Sequence, residues 1–382
     1  MALQNKYIPS VVFHPGDTLA EKLEEMGMGP KEFALRTGKP EKTIIAILNG
    51  QSNITADMAV QFENVTKIPA HFWMNHQRSY DEFNAREKRK VVIEEAAPWA
   101  KEFPISEMIK KGWLTVGKTI QEKTESLMAF FGIAHHGAWE DYYYNQELKV
   151  AFRISLHNTS NPFSISAWLR KGELQAAEIQ SSAYDEKAFK NALETIKKLM
   201  ASQPEGYFYQ LQNICRETGV KVVYTPCIAK APINGATRWL GDTPLIQMTG
   251  RYKRNDIFWF TFFHEAGHIL LHGKKDIFLE KVEYTDKDLE KEAEADAFAI
   301  KWTFSEEQEE EYLRDAIIDA EQDIRGYAKK FNTHPSIIAG RLFRNKQISP
   351  ARAFKYFSPV NLDDDEDSYL QKSSPCCCKN KS

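Results

Sequence analysis

The chain has 382 residues, of which 42 % are hydrophobic and 27 % charged, with a formal net charge of −3. That length suits two or three domains of ordinary size, and that balance excludes a chain too polar to fold. The small net charge excludes a global electrostatic footprint for nucleic acid or anionic lipid, so any DNA contact must come from a local patch.

The first segment, Met1 to Gly16, has no apolar core for a signal peptide. Short helices punctuated by turns follow over residues 14–80. Asp17 to Met26 places Leu19, Leu23 and Met26 at helical spacing, and Gly27 and Gly29 break it. Lys31 to Thr37 forms a second helix closed by Gly38. Pro40 opens a third, Glu41 to Leu48, which Asn49-Gly50 ends. Thr55 caps a fourth that runs through Val65. Two short helices joined by a glycine-containing turn fit the helix-turn-helix motif.

The charged stretch Asp81 to Glu95, with Arg86, Lys88, Arg89 and Lys90, reads as an exposed helix or linker. Residues 118–200 alternate helical segments with a polar loop, Asn158 to Asn161, and carry no catalytic motif. From Pro204 the pattern changes. Val220 to Tyr224, Ala236 to Leu240 and Pro244 to Met248 are short strand candidates, the last two separated by Gly241-Asp242. The third of these is expected to pair with an extended substrate.

Asn255 or Asp256 then caps a helix running to His272, with Gly273 as its stop. A further helix spans about Leu289 to Trp302. The acidic run Asp363 to Asp367 marks a tail. The longest strongly apolar run, Ile257 to Phe263, is far short of a membrane span. Five cysteines are present, Cys215, Cys227 and the triplet Cys376-Cys377-Cys378, with no Cys-x-x-Cys pair. That is neither a disulfide framework nor a cysteine-rich zinc module, and it points to a reducing, cytoplasmic compartment with no membrane association.

The chemistry concentrates in His264-Glu265-Ala266-Gly267-His268. Two histidines four residues apart on a helix share one face and reach one metal ion, with zinc the default for neutral imidazoles. Glu265 projects beside them, where a carboxylate takes a proton from metal-bound water. A His-Glu-x-x-His run arises by chance in this composition at only about 2 %. Ile257, Phe258, Trp259, Phe260, Phe262 and Phe263 make the helix apolar on most sides, and two buried histidines and a buried glutamate are costly there unless satisfied. A third ligand must come from elsewhere. Glu292, Glu294 and Asp296 are the candidates on the following helix. Glu292 and Asp296 stand one turn apart, so that one can bind metal while the other orients a ligand histidine. His272 extends the histidine stripe beyond reach of the ion, as an outer-shell or helix-terminal residue.

The run Arg251-Tyr252-Lys253-Arg254-Asn255-Asp256-Ile257-Phe258-Trp259-Phe260-Thr261-Phe262-Phe263-His264-Glu265-Ala266-Gly267-His268-Ile269-Leu270-Leu271-His272 resembles the ImmA/IrrE family of metallopeptidases. Glu292-Ala293-Glu294-Ala295-Asp296-Ala297-Phe298-Ala299 resembles that family's Glu-x-x-Ala-(Asn/Asp)-x-Phe-Ala motif. The alignment implies Glu292 as the third ligand. Where the family has a Leu-Met-Pro-like end, this chain has Ile300-Lys301-Trp302-Thr303-Phe304. The segment from His14-Pro15-Gly16 through Phe72-Trp73 resembles HigA-type antitoxins of the phage-repressor helix-turn-helix class. It departs from their pattern at Pro30, where a Gln often opens the second helix, and at Ala46, where an Arg is common. Basic and acidic residues balance over residues 1–80, so counterion release contributes little there.

The two resemblances together imply an α+β chain. An all-α helix-turn-helix domain would occupy residues 1–80, a helical linker and middle region 81–200, a zincin-like α+β metallopeptidase domain with a small sheet 201–345, and a C-terminal segment and polar tail 346–382. They imply a regulatory zinc endopeptidase with Glu265 as base and His264, His268 and Glu292 as ligands, cutting a protein such as a transcriptional repressor. They imply also operator DNA read by Lys39, Lys42 and Thr43 at the start of the recognition helix, a toxin partner and a homodimer. The alternative is a non-catalytic antitoxin or repressor that binds operator DNA and a toxin.

Overall fold

The computed structural model describes residues 12–143, 161–272, 278–279, 286–315, 321–360 and 362. Residues 158–160 of the expected loop, Gly273, Asp363 to Asp367 and Cys376 to Cys378 lie outside them. The chain divides into two compact units, residues 1–96 and 97–382, and the boundaries expected at 80 and 200 fall inside them.

The first unit is all helical: α1 (Pro15–Glu25), α2 (Pro30–Thr37), α3 (Glu41–Leu48), α4 (Ala56–Thr66) and the start of α5 (Ala70–Ala100). His14 caps α1 reciprocally. Its Nδ1 accepts from Gly16 N at 2.9 Å, while Asp17 Oδ2 accepts from His14 N at 3.0 Å. Gly38 ends α2 at φ 67°, a conformation that costs glycine nothing. Thr55 caps α4 by accepting from Met58 N. Leu19, Phe33, Ile44, Ile47, Phe62 and Trp73 fill the core between these helices. The charged stretch 81–95 lies inside α5, mostly exposed.

The second unit is built on a four-stranded sheet of order β1-β3-β2-β4, from β1 (Lys221–Tyr224), β2 (Gly235–Leu240), β3 (Thr243–Met248) and β4 (Phe278–Leu279). β2 and β3 form a hairpin closed at Leu240↔Thr243, with Gly241 at φ 64°. β1 runs parallel to β3, and β4 antiparallel to β2. The expected pairing of Pro244 to Met248 with a substrate is therefore corrected. β3 is an interior strand whose two rows of backbone groups are taken by β1 and β2, and among the described residues the edge strands are β1 and β4.

Alternation along the strands gives the sheet two buried faces. Val222, Tyr224, Ile246 and Met248 pack with helix α11 (Asn255–Leu271) in the largest core. On the opposite face Ala236 joins the core of the middle helices α6 (Ile105–Lys110), α7 (Ile120–Phe131) and α8 (Pro162–Glu178). Buried Arg238 there reaches Glu173 at 2.7 Å and the carbonyl of Leu169. Gln247 donates to Trp168 O at 2.7 Å. A Cβ at Gly172 would lie 2.1 Å from that glutamine side chain, so glycine admits the close approach. The described helices between residues 105 and 178 thus cover this face of the sheet.

Helices α9 (Glu186–Ser202) and α10 (Tyr207–Glu217) precede β1, while α12 (Asp286–Thr303), α13 (Glu306–Asp315), α14 (Glu321–Phe331) and α15 (Pro335–Arg344) close the outer side of α11. Over Ile300 to Phe304, where the sequence differs from the motif it resembles, α12 continues to Thr303 and Trp302 stacks on Phe263, the rings 4° from parallel. Among the described residues no helix is long and apolar enough to cross a membrane.

Candidate metal centre

Helix α11 carries a mostly apolar run, Ile257 to Leu271, interrupted by Thr261, His264, Glu265, Gly267 and His268, and it is buried on nearly every side. His264, Glu265 and His268 are 2 %, 0 % and 1 % exposed. The four-residue spacing puts both imidazoles on one face, with their Nε2 atoms 3.0 Å apart. Helix α12 crosses that face. Glu292 Oε2 stands 3.3 Å from His264 Nε2, and Glu292 Oε1 3.4 Å from His268 Nε2.

These separations test whether the residues fit a metal. Ligand atoms around tetrahedral zinc at about 2.0–2.1 Å stand about 3.4 Å from one another. The two nitrogens stand 3.0 Å apart, and each has a different Glu292 oxygen near it, Oε2 at 3.3 Å from His264 and Oε1 at 3.4 Å from His268, separations close to that spacing. Two imidazole nitrogens and a carboxylate oxygen are also the donor set of a hydrolytic zinc site with one position left for water or substrate. The fit is good in number, chemistry and spacing.

Two glycines make the approach possible. A Cβ at Gly267 would lie 3.2 Å from Phe298 Cβ and 3.3 Å from Ala295 Cα, so glycine lets α12 come close enough for Glu292 to reach both rings. A Cβ at Gly235 would lie 2.7 Å from Glu265 Oε1, so the start of β2 is bare where that carboxylate sits. Thr237 Oγ1 on the same strand donates to Glu265 O at 3.0 Å. The sequence reading did not single out either glycine, although a glycine in mid-helix, where alanine is favoured, is a legible sign of close packing.

The buried acid and the two imidazoles perturb one another's titration. Burial works against charge on Glu292, but hydrogen bonds from His264 and His268 outweigh it and hold the carboxyl down at about 2. Burial lowers His268 to about 4 despite Glu292. His264 is raised well above its ordinary value, because Asp296 and Glu292 overcome burial. These shifts favour an anionic Glu292 and a neutral His268 at neutral pH.

The remaining acids separate by direction. Asp296 Oδ1 accepts from His264 Nδ1 at 2.9 Å. Glu294 does not approach the ligand atoms. It meets His272 Nε2 at 3.0 Å, while His272 Nδ1 is 2.9 Å from His268 Nδ1. His272 is not helical: α11 ends at Leu271, one residue earlier than expected, and His272 turns back in extended backbone to reach His268. Among the described residues, the group that brings metal-binding atoms together is His264, His268 and Glu292, one ligand atom from each lying within 4.8 Å of the others.

In the first unit, Lys42 lies exposed in the first turn of α3 and Thr43 half-buried beside it. Lys39 is held by Asp57 of α4.

Residues 215–343 match the family model described as the IrrE N-terminal-like domain, Peptidase_M78, and form a domain of that type. No curated protein sequence matches the chain. Solved structures match its N-terminal region. An addiction module antidote protein of the HigA family from Coxiella burnetii is 36 % identical over 22 % of this chain and 91 % of its own, with a TM-score of 0.21. The antitoxin HigA of Pseudomonas aeruginosa, solved with the higBA promoter, is 32 % identical over 20 % of this chain and 86 % of its own, with a TM-score of 0.20.

Proposed function

We propose that this protein, with its IrrE-like domain over residues 215–343, is a regulatory zinc-dependent endopeptidase whose N-terminal unit binds operator DNA. One observation carries the reading: His264 Nε2, His268 Nε2 and the Glu292 carboxylate converge, with one ligand atom from each within 4.8 Å of the others, beside a fully buried Glu265. Zinc held there would act as a Lewis acid toward a peptide carbonyl and acidify the attacking water.

The chain's own residues do the rest. His264, His268 and Glu292 hold the ion, and Asp296 fixes the His264 ring by accepting its Nδ1 proton. Glu265 takes a proton from the attacking water on its carboxylate and returns it to the leaving amine. Thr237, bonded to the Glu265 carbonyl, ties the helix at that residue to β2. The apolar walls exclude bulk water and strengthen each of these interactions.

The substrate in this reading is a protein, a transcriptional repressor in the same cytoplasm. The first unit offers the exposed Lys42 and neighbouring Thr43 at the start of α3 to an operator, which a homodimer would read as two half-sites. A toxin is the protein partner that the antitoxin resemblance implies for this unit.

The deciding experiment compares full-length wild type with Glu265→Gln, which keeps shape and ligands but cannot accept the proton. Both should hold about one zinc per chain. Wild type alone should yield fragments when incubated with repressors encoded in the same cell. Equal regulatory behaviour of both proteins in the cell, with no fragments from either, would replace the peptidase with a non-catalytic binder.

A further inference from the structure

His268 and His272 face each other through the same kind of atom. Their Nδ1 nitrogens are 2.9 Å apart, so one must carry the proton and the other must accept it. The Nε2 of His268 points at His264 and Glu292. A nitrogen that ligates metal must be bare, so the His268 proton sits on Nδ1. The acceptor is then His272 Nδ1. That leaves the His272 proton on Nε2, which lies 3.0 Å from Glu294 Oε2. Each tautomer is fixed by the next link, and a carboxylate ends the chain.

The geometry repeats on the other ligand in shorter form, where Asp296 Oδ1 directly meets His264 Nδ1. Three acids at alternate positions of one helix thus face three partners. Glu292 faces the ligand nitrogens, Asp296 the back of His264, and Glu294 the back of His268 through an intervening imidazole.

We propose that His272 and Glu294 are positioning residues that set the His268 tautomer and ring orientation, and so tune retention of the metal ion. The inference rests on the zinc reading of the His264, His268 and Glu292 cluster. The His272 side chain is 4 % exposed, so its ring is sheltered from competing water, whereas Glu294 is 64 % exposed. Outer-shell partners of this kind change metal affinity by about 10–100-fold. The exposed carboxylate belongs at the low end of that range because solvent screens it.

The test is zinc affinity of the full-length protein, measured by competition with a chromophoric chelator, for wild type, Glu294→Gln, His272→Phe and the double variant. We expect losses of roughly 10-fold for Glu294→Gln and up to about 100-fold for His272→Phe. The double variant should lose no more than His272→Phe, because Glu294 acts only through that ring. Metal-free unfolding temperatures of wild type and Glu294→Gln should coincide, which separates positioning from general support of the fold. Long-range ¹⁵N spectra of labelled histidines should place the His268 proton on Nδ1 in wild type.

Wild-type affinity in Glu294→Gln, or losses that multiply in the double variant, overturns the relay while leaving the metal site standing. Wild type that binds no zinc overturns both.

Discussion

Substituting Gly267 by Val tests whether the spacing of two helices sets the ligand geometry. An added Cβ would lie 3.2 Å from Phe298 Cβ and 3.3 Å from Ala295 Cα, whereas relaxed carbon contacts stand at about 3.5–4.0 Å. Alanine therefore needs a few tenths of an ångström from α12. The Cγ atoms of valine reach ~1.5 Å further, so α12 must retreat by ~1 Å or the rings around Phe298 must repack. Glu292 rides on that helix. Its separations of 3.3 and 3.4 Å from the two imidazoles would open past the ~3.4 Å edge of a zinc tetrahedron. The overpacking itself costs ~1–3 kcal/mol, or ~2–10 °C in the unfolding temperature of a unit this size. Zinc affinity should fall at least ~10-fold, equivalent to ~1.4 kcal/mol. Calorimetry and chelator competition read the two effects separately. Gly326→Ala in α14 is the control. A Cβ there meets nothing within 4 Å, so the change should stabilise by up to ~1 kcal/mol through helix propensity and leave zinc untouched. Gly267→Val protein that folds as wild type and binds zinc within about twofold of it would refute the argument from helix spacing.

Two further outcomes follow from single residues. His334 caps α15 by accepting from Ser336 N at 3.1 Å, and burial, reinforced by Arg325, lowers its pKa to about 4. The folded state binds fewer protons than the unfolded chain below the ordinary histidine value, so stability drops as pH falls from about 6.5 to 4, by up to ~1.4 kcal/mol per pH unit. His334→Asn keeps a capping acceptor without the titration and should flatten that limb of the pH–stability curve, as read by denaturant unfolding. An unchanged difference between the two proteins at pH 7 and pH 4.5 would count against it. In the first unit, Lys42→Ala should weaken binding to the protein's own promoter and reduce the salt slope by about 1 in gel shifts. Lys39→Ala should matter less, since Asp57 already holds that ammonium group. Failure of wild type to shift the promoter at low salt would make the unit a docking domain.

The parts of this site that were legible in the sequence share one property: they depend on spacing within a single helix. His264, Glu265 and His268 needed only the 3.6-residue repeat and the apolar residues around them to be read as a buried, metal-facing set. Glu292 needed more, because Glu294 and Asp296 stand on the same helix and the spacing alone left them open. What separates them is the rotation of α12 about its axis relative to α11. That rotation is fixed by contacts such as Gly267 against Phe298 and Ala295, about thirty residues away in sequence.

The strands show the same limit. Gly241-Asp242 announced the β2–β3 hairpin, but the parallel partner β1 joins through a long connection that leaves no local mark, and so β3 read as available to a substrate when it is enclosed. The middle helices carried no motif because their function in the fold is to cover the sheet. The contacts that show it, Arg238 with Glu173 and Gln247 with Trp168, span 65 and 79 residues. His272 falls between the two cases. Its identity and its distance from His264 placed it outside the ligand set, but its role depends on the helix ending at Leu271, which frees the backbone to turn the ring back onto His268. A helix continuing through residue 272 would have kept that ring on the histidine stripe one turn beyond His268. The last turn of α11 therefore decides whether Glu294 has any path to the metal centre, and the zinc affinities of His272→Phe and Glu294→Gln report on that turn as directly as on the residues themselves.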